Sequence, residues 1–139
     1  RVEDSPTLIA TTESAPPDKI ARLRERGVEI AVLPADGGRV DLRALIAMLA
    51  QRGVTGVLCE GGGTLIAALF AQRLVDKVVF FYAPRIIGGR DAPTAVEGDG
   101  CAYMEGCLRL DRVYWRKVGR DMMVQAYPVW EDEKCSPAL

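Results

Sequence analysis

Val57-Leu58-Cys59-Glu60-Gly61-Gly62-Gly63-Thr64-Leu65-Ile66 decides the fold: an apolar run stops at a carboxylate, crosses three glycines and enters a second apolar segment. The pattern reads as strand, glycine loop, helix. Residues without side chains let another molecule come close to the backbone. The helix that follows aims its unpaired N–H groups and the positive end of its dipole at the same space. A phosphate fits that combination. The same three glycines also suit a tight strand-to-helix turn selected for its backbone angles, and the stretch alone leaves both readings open.

Working upstream, Val54 to Glu60 is the strand that feeds the loop, and it is preceded by a helix in which Leu42, Leu45, Ile46 and Leu49 share one face, with Asp41 placed to cap its start and Gly53 to end it. Before that, Val28 to Leu33 forms a strand closed by Pro34 and the Asp36-Gly37-Gly38 turn. A helix entered at Pro16-Pro17-Asp18 carries Ile20 and Leu23 and stops at Gly27, and Thr7 to Thr12 is the first strand. Downstream, Leu65, Ile66, Leu69, Phe70 and Leu74 make a helix apolar around most of its circumference, expected to be covered on more than one side. Val78 to Ala83 is a continuous apolar run, expected as a central strand. Successive strand-helix-strand units imply parallel strands with right-handed crossovers. After Pro84 the pattern changes to a loop over Ile86 to Pro93, and no clear period is seen as far as Gly106. Leu108 to Lys117 and Met122 to Val129 then form an antiparallel hairpin through Val118-Gly119-Arg120-Asp121, with a bulge near Asp111-Arg112. The fold class is α/β: a mainly parallel central sheet, flanking helices and a C-terminal antiparallel hairpin. One domain covers 1–130, and 131–139 reads as a frayed tail.

The composition, 49% hydrophobic over 139 residues, supports one domain with a real core. A net charge of −1 with scattered charges gives no basic stripe, so no nucleic-acid partner is expected. The apolar runs are too short to cross a bilayer and the N-terminus lacks a signal pattern; no membrane partner is expected, and a cytoplasmic location is the default. The chain has no histidine, which removes the usual general base, the usual zinc ligand and every histidine-based triad. The four cysteines, Cys59, Cys101, Cys107 and Cys135, match no metal-binding spacing and read as buried or free thiols. The chain begins at Arg1 without an initiator methionine and reads as a piece of something longer.

Ligands of open α/β sheets bind beyond the carboxyl ends of the parallel strands. Thr11-Thr12-Glu13, Pro34-Ala35-Asp36, Glu60 to Gly63 and Pro84-Arg85 are expected to share that rim. Gly61, Gly62 and Gly63 offer backbone donors to a phosphate, Thr64 a hydroxyl donor, and Thr11 or Thr12 another. No lysine follows as in a Walker A loop, and the spacing is not G-x-G-x-x-G. Glu60 either accepts hydrogen bonds from a substrate or is a surface carboxylate, paired with Arg85 or solvated. Arg85 and Arg90 either approach the phosphate or are solvated. Met122, Met123, Trp115 and Trp130 read as packing residues.

Gly56-Val57-Leu58-Cys59-Glu60-Gly61-Gly62-Gly63, Leu74-Val75-Asp76-Lys77 and Phe81-Tyr82-Ala83-Pro84-Arg85-Ile86-Ile87-Gly88-Gly89 together resemble the C-terminal reductase domain of the bacterial bifunctional riboflavin biosynthesis protein RibD. The resemblance runs from near Thr7 to near Val129. It implies a dihydrofolate reductase-like fold and NADPH-dependent reduction of 5-amino-6-(5-phosphoribosylamino)uracil to 5-amino-6-(5-phosphoribitylamino)uracil, with hydride going to C1′ of the opened sugar. It also implies that Gly61, Gly62, Gly63, Thr64 and Leu65 bind NADPH, that Glu60 contacts substrate, and that Thr12 supplies a cofactor-contacting hydroxyl. No side chain is expected as a catalytic acid or base and no metal is expected, because the cofactor carries the hydride chemistry. The implied partners are a small phosphorylated pyrimidine, a second copy in a homodimer, and a zinc deaminase domain fused upstream. One departure matters: the family's reductase domain opens with a further strand and helix that do not precede Arg1, so part of the substrate pocket is expected to be missing and activity of this segment alone is in doubt. Two alternatives stay open: an NADP-binding or dimerisation module without turnover by itself, and a related pteridine or pyrimidine reductase.

Overall fold

Parallel neighbours need a crossover, because no tight turn returns a chain to the same end of a sheet. The computed structural model, which describes residues 5–89 and 91–130, shows one crossover of this kind. The chain falls into two compact units that divide between Leu58 and Cys59.

In the first unit β1 (Leu8–Thr11) leads through α1 (Pro17–Glu25) to β2 (Glu29–Val32). The two strands are parallel, with Leu8 opposite Glu29 and Thr11 opposite Val32. Pro17 sits in the first turn of α1, where its fixed φ suits the helix and its missing N–H costs nothing. The helix ends as expected at Gly27, whose φ of +78° lets the Val28 N–H reach back to the Leu23 carbonyl at 3.1 Å. Gly37 and Gly38, both left-handed, fold β3 (Ala35–Asp36) back on β4 (Arg39–Val40). Asp41 then caps α2 (Leu42–Gln51): its Oδ1 accepts from the Arg43 and Ala44 N–H groups at 2.8 and 3.1 Å.

The second unit holds α3 (Gly63–Ala71), β5 (Val78–Tyr82), a short 3-10 turn at Met104–Gly106, β6 (Arg109–Val118) and β7 (Asp121–Val129). The sheet order is β5-β7-β6, and every pairing in it is antiparallel. The hairpin turns at Gly119, φ +60°. The bulge lies where the apolar phase shifts: Asp111 pairs with Tyr127 and Tyr114 with Gln125, leaving Arg112 and Val113 against Ala126. Arg112 takes φ +48° there and lays its guanidinium 3.9 Å from the centre of the Tyr127 ring. Beyond β7, Trp130 donates its indole N–H to the Val75 carbonyl at 3.2 Å and sits beside Phe70 of α3.

Three expectations are corrected. Residues 54–62 join no sheet among the described residues, so the strand expected over Val54 to Glu60 is not formed; Cys59 is exposed and Leu58 is 81% exposed. Apolar composition favours an extended chain, but a strand exists only where a neighbour supplies N–H and C=O groups, and no ladder reaches this segment. β5 is an edge strand instead of a central one. The centre is β7, whose Met123, Val124 and Ala126 are buried, whereas Phe81 on β5 is 59% exposed. An apolar run does not say on which side its neighbours stand. Likewise α3 buries only Gly63, so its apolar circumference is not covered on several sides among the described residues. Arg90, Cys135 and the tail expected to fray lie outside the described residues. No helix among the described residues is long and apolar enough to cross a membrane.

Candidate functional site

The glycine loop belongs to the second unit. Gly62 is the N-cap residue of α3, extended at φ −71° and ψ 168°, and no side chain caps the helix start. None of Gly61, Gly62 and Gly63 has a positive φ, so backbone angle does not require glycine at any of them. Packing requires it at Gly63, where backbone stands in the way, whereas at Gly61 only the movable end of the half-exposed Leu65 side chain does. A Cβ on Gly61 would stand 2.6 Å from Leu65 Cδ2, and one on Gly63 would stand 2.8 Å from the Thr94 carbonyl oxygen and 2.6 Å from Glu97 Cγ. On Gly62 a Cβ would meet nothing within 4 Å. That glycine is exposed and serves neither turn geometry nor packing within the chain.

The irregular segment after β5 returns to this loop. Thr64 Oγ1 donates to Glu97 Oε2 at 2.5 Å, and the Glu97 N–H donates to the Gly63 carbonyl at 3.2 Å. The single hydroxyl proton of Thr64 is thus committed to Glu97, and toward a ligand the hydroxyl offers lone pairs only. Sequence reading missed Glu97. It lies 33 residues from Thr64 in a stretch without periodicity, and its only signal is the glycine density at Gly98 and Gly100.

Glu60 stands immediately before the loop, exposed, and makes no ion pair with Arg85 among the described residues. Leu65 turns its side chain toward Gly61 and stays 40% exposed. Thr12 belongs to the first unit. It follows β1, is 8% exposed, and places Oγ1 2.7 Å from Ser14 Oγ. With Glu13, Leu33, Pro34 and Gly38 it lines an open cleft of about 480 Å³ beyond the carboxyl ends of β1 and β2, the end of a parallel pair where ligands bind. The structure therefore keeps Glu60 to Leu65 together and adds Glu97 to them, and it gives Thr12 a cleft within its own unit.

Among the described residues no group of potential ligands could hold a metal ion. Cys101 and Cys107 flank the 3-10 turn and donate their thiols to the Gly106 and Tyr103 carbonyls at 3.4 and 3.5 Å. The neighbouring Cys101 thiol, aided by desolvation, pushes the Cys107 thiol above its ordinary pKa.

The architecture has solved counterparts. It superposes with a TM-score of 0.69 on Acinetobacter baumannii RibD, at 22% identity over 88% of this chain and 31% of that one. The same score, at 18% identity over 89% and 50%, relates it to a pyrimidine reductase-like protein from Corynebacterium diphtheriae. The fold is that of the dihydrofolate reductase-like pyrimidine reductases. More narrowly, the chain belongs to the RibD C-terminal domain family, whose model matches residues 1–124. It is 39% identical over 123 residues to the 2,5-diamino-6-ribosylamino-4(3H)-pyrimidinone 5′-phosphate reductase of Methanothermobacter thermautotrophicus, covering 88% of this chain and 56% of that protein. It is 30% identical to the riboflavin biosynthesis protein RibD of Actinobacillus pleuropneumoniae over 85% of this chain and 31% of that protein. The chain spans about half the length of the archaeal relatives it matches.

Proposed function

We propose that the chain is the NADPH-binding part of a riboflavin-biosynthesis reductase that converts a phosphorylated ribosylaminopyrimidine to its ribitylamino counterpart. Gly62 carries this reading: it is an exposed glycine at an uncapped helix start that neither backbone angle nor packing explains, in a family whose relatives are named as reductases. Backbone that close to solvent accepts a phosphate without steric cost. In this reading Gly61, Gly62, Gly63, Thr64 and Leu65 hold NADPH, Thr12 contributes from its cleft, and Glu60 accepts hydrogen bonds from the substrate. When bound, the nicotinamide supplies hydride for C1′ of the opened sugar; the chain binds and orients. The cytoplasm, where phosphorylated intermediates are retained, is the proposed location.

The ring substituent of the substrate separates two versions. The archaeal relatives are named for the 2,5-diaminopyrimidinone, which favours that form, whereas the aminouracil form fits a zinc deaminase acting first. A homodimer is also proposed, because Val79, Phe81 and Tyr114, brought to one face of the β5-β7-β6 sheet by their register, are all exposed.

Thermal unfolding with and without NADPH tests the cofactor loop. NADPH is expected to raise the melting temperature. Gly62→Asp, whose side chain enters open space and leaves folding intact, is expected to abolish that rise by setting a carboxylate against the phosphates. An undiminished rise in the variant sinks the assignment. Oxidation of NADPH that depends on either ribosylaminopyrimidine phosphate identifies the substrate, and binding without turnover marks a dinucleotide-binding module.

A further inference from the structure

Glu97 brings a negative charge to the place where the proposed function calls for another. Three contacts hold it there. Its Oε2 accepts the Thr64 hydroxyl proton at 2.5 Å, its N–H is bonded to the Gly63 carbonyl at 3.2 Å, and its Cγ and Cδ crowd the space a Gly63 Cβ would need. Gly63 and Thr64 are the first two residues of α3. A carboxylate is favoured at that end of a helix for the reason a phosphate is: both answer the partial positive charge of N–H groups without helical partners. The two anions repel each other across a few ångströms, and they cannot occupy the same position.

We propose that Glu97 sets the affinity of the glycine loop for the dinucleotide: its carboxylate holds the start of α3 in the free protein and gives way when a phosphate arrives. This rests on Gly61 to Thr64 being the cofactor loop. Displacement is cheap, because Thr64 and Glu97 are both exposed and water replaces the hydrogen bond they lose. The backbone beside Glu97 carries left-handed glycines, Gly98 at φ +94° and Gly100 at φ +65°, a segment built for a conformation that side chains resist. Once Glu97 has moved, the Thr64 hydroxyl regains its proton as a donor for the incoming phosphate. Competing charge and donor availability therefore change together.

NADPH titration of the wild-type chain, Glu97→Gln and Glu97→Ala by calorimetry, at low and high salt, tests this. Glutamine keeps the shape and an acceptor for Thr64 while removing the charge. It is expected to bind NADPH about threefold to tenfold more tightly at low salt, with the gain shrinking as salt screens the repulsion. Alanine is expected to gain in the same direction. If wild type binds NADPH and Glu97→Gln binds no more tightly, Glu97 only braces the loop and the proposal is overturned. If both chains melt cooperatively and neither binds NADPH, the cofactor reading of the loop fails, and the proposal fails with it.

Discussion

Single residues define the candidate site more sharply than any element does. The glycine triplet and Glu60 could be proposed from the sequence because their chemistry is local: residues without side chains followed by a helix start suggest a binding surface without reference to the rest of the chain. Glu97 was not legible, since it matters only through folding that returns it to Thr64 across 33 residues. The same holds for the thiols. Spacing suggested no metal site at Cys101 and Cys107, but it did not show that the fold sets the two thiols beside each other. That contact raises the Cys107 pKa, so at neutral pH it holds a smaller thiolate fraction than an ordinary exposed cysteine. Cys101→Ala removes the neighbouring sulfur and is expected to lower the Cys107 pKa toward the ordinary value and to speed its alkylation near pH 7. Mass spectrometry of iodoacetamide-treated protein at timed intervals measures this; an unchanged rate refutes the coupling.

At the scale of elements, helices were read well because their signals lie within the helix or one residue beyond it. Asp41 caps α2 through its own side chain, and Gly27 and Gly53 end α1 and α2 in the left-handed conformation that glycine adopts freely. The third helix ends in the same way without a glycine. Arg73 takes φ +56°, the Leu74 N–H bonds back to the Leu69 carbonyl at 2.9 Å, and the arginine side chain is exposed. A residue with a Cβ is disfavoured there by about 1 kcal/mol, part of which glycine returns as extra freedom of the unfolded chain. Arg73→Gly is therefore expected to stabilise the protein by roughly 0.5–1 kcal/mol, read from the denaturation midpoint in urea. A lower midpoint would show that the arginine makes a contact worth more than the strain. Strands were read less well. Val54 to Glu60 and β5 have the right residues, but ladders decide whether a strand forms and where it sits, and those ladders run to partners far along the sequence.

For the whole molecule, the family was legible from three short runs and was confirmed over residues 1–124; in the second unit the bulged β6-β7 hairpin was legible, while the pairing of β5 at its edge was not. Resemblance carries the overall plan; it does not say which strand is central in this chain. The antiparallel order β5-β7-β6 leaves Val79, Phe81 and Tyr114 exposed on one sheet face. If this face joins two copies, Phe81→Glu is expected to convert a dimer to a monomer in light scattering at micromolar concentration, with its circular dichroism unchanged, since Phe81 is already 59% exposed in the single chain. A variant that keeps the wild-type mass places the interface elsewhere.

Trp130 gives the molecule a built-in dye. Its indole is anchored to the Val75 carbonyl, 55 positions away in sequence, with its ring centre 6.4 Å from that of Phe70 at the closing turn of α3. Trp115, the other indole, stands half exposed beside Tyr82 on the sheet. With Trp115 silenced and excitation at the red edge, where tyrosine does not absorb, the light emitted by this chain would come from a single indole clipped to one end of the helix whose opposite end begins at the glycine loop, so events at the loop can be followed without attaching a label.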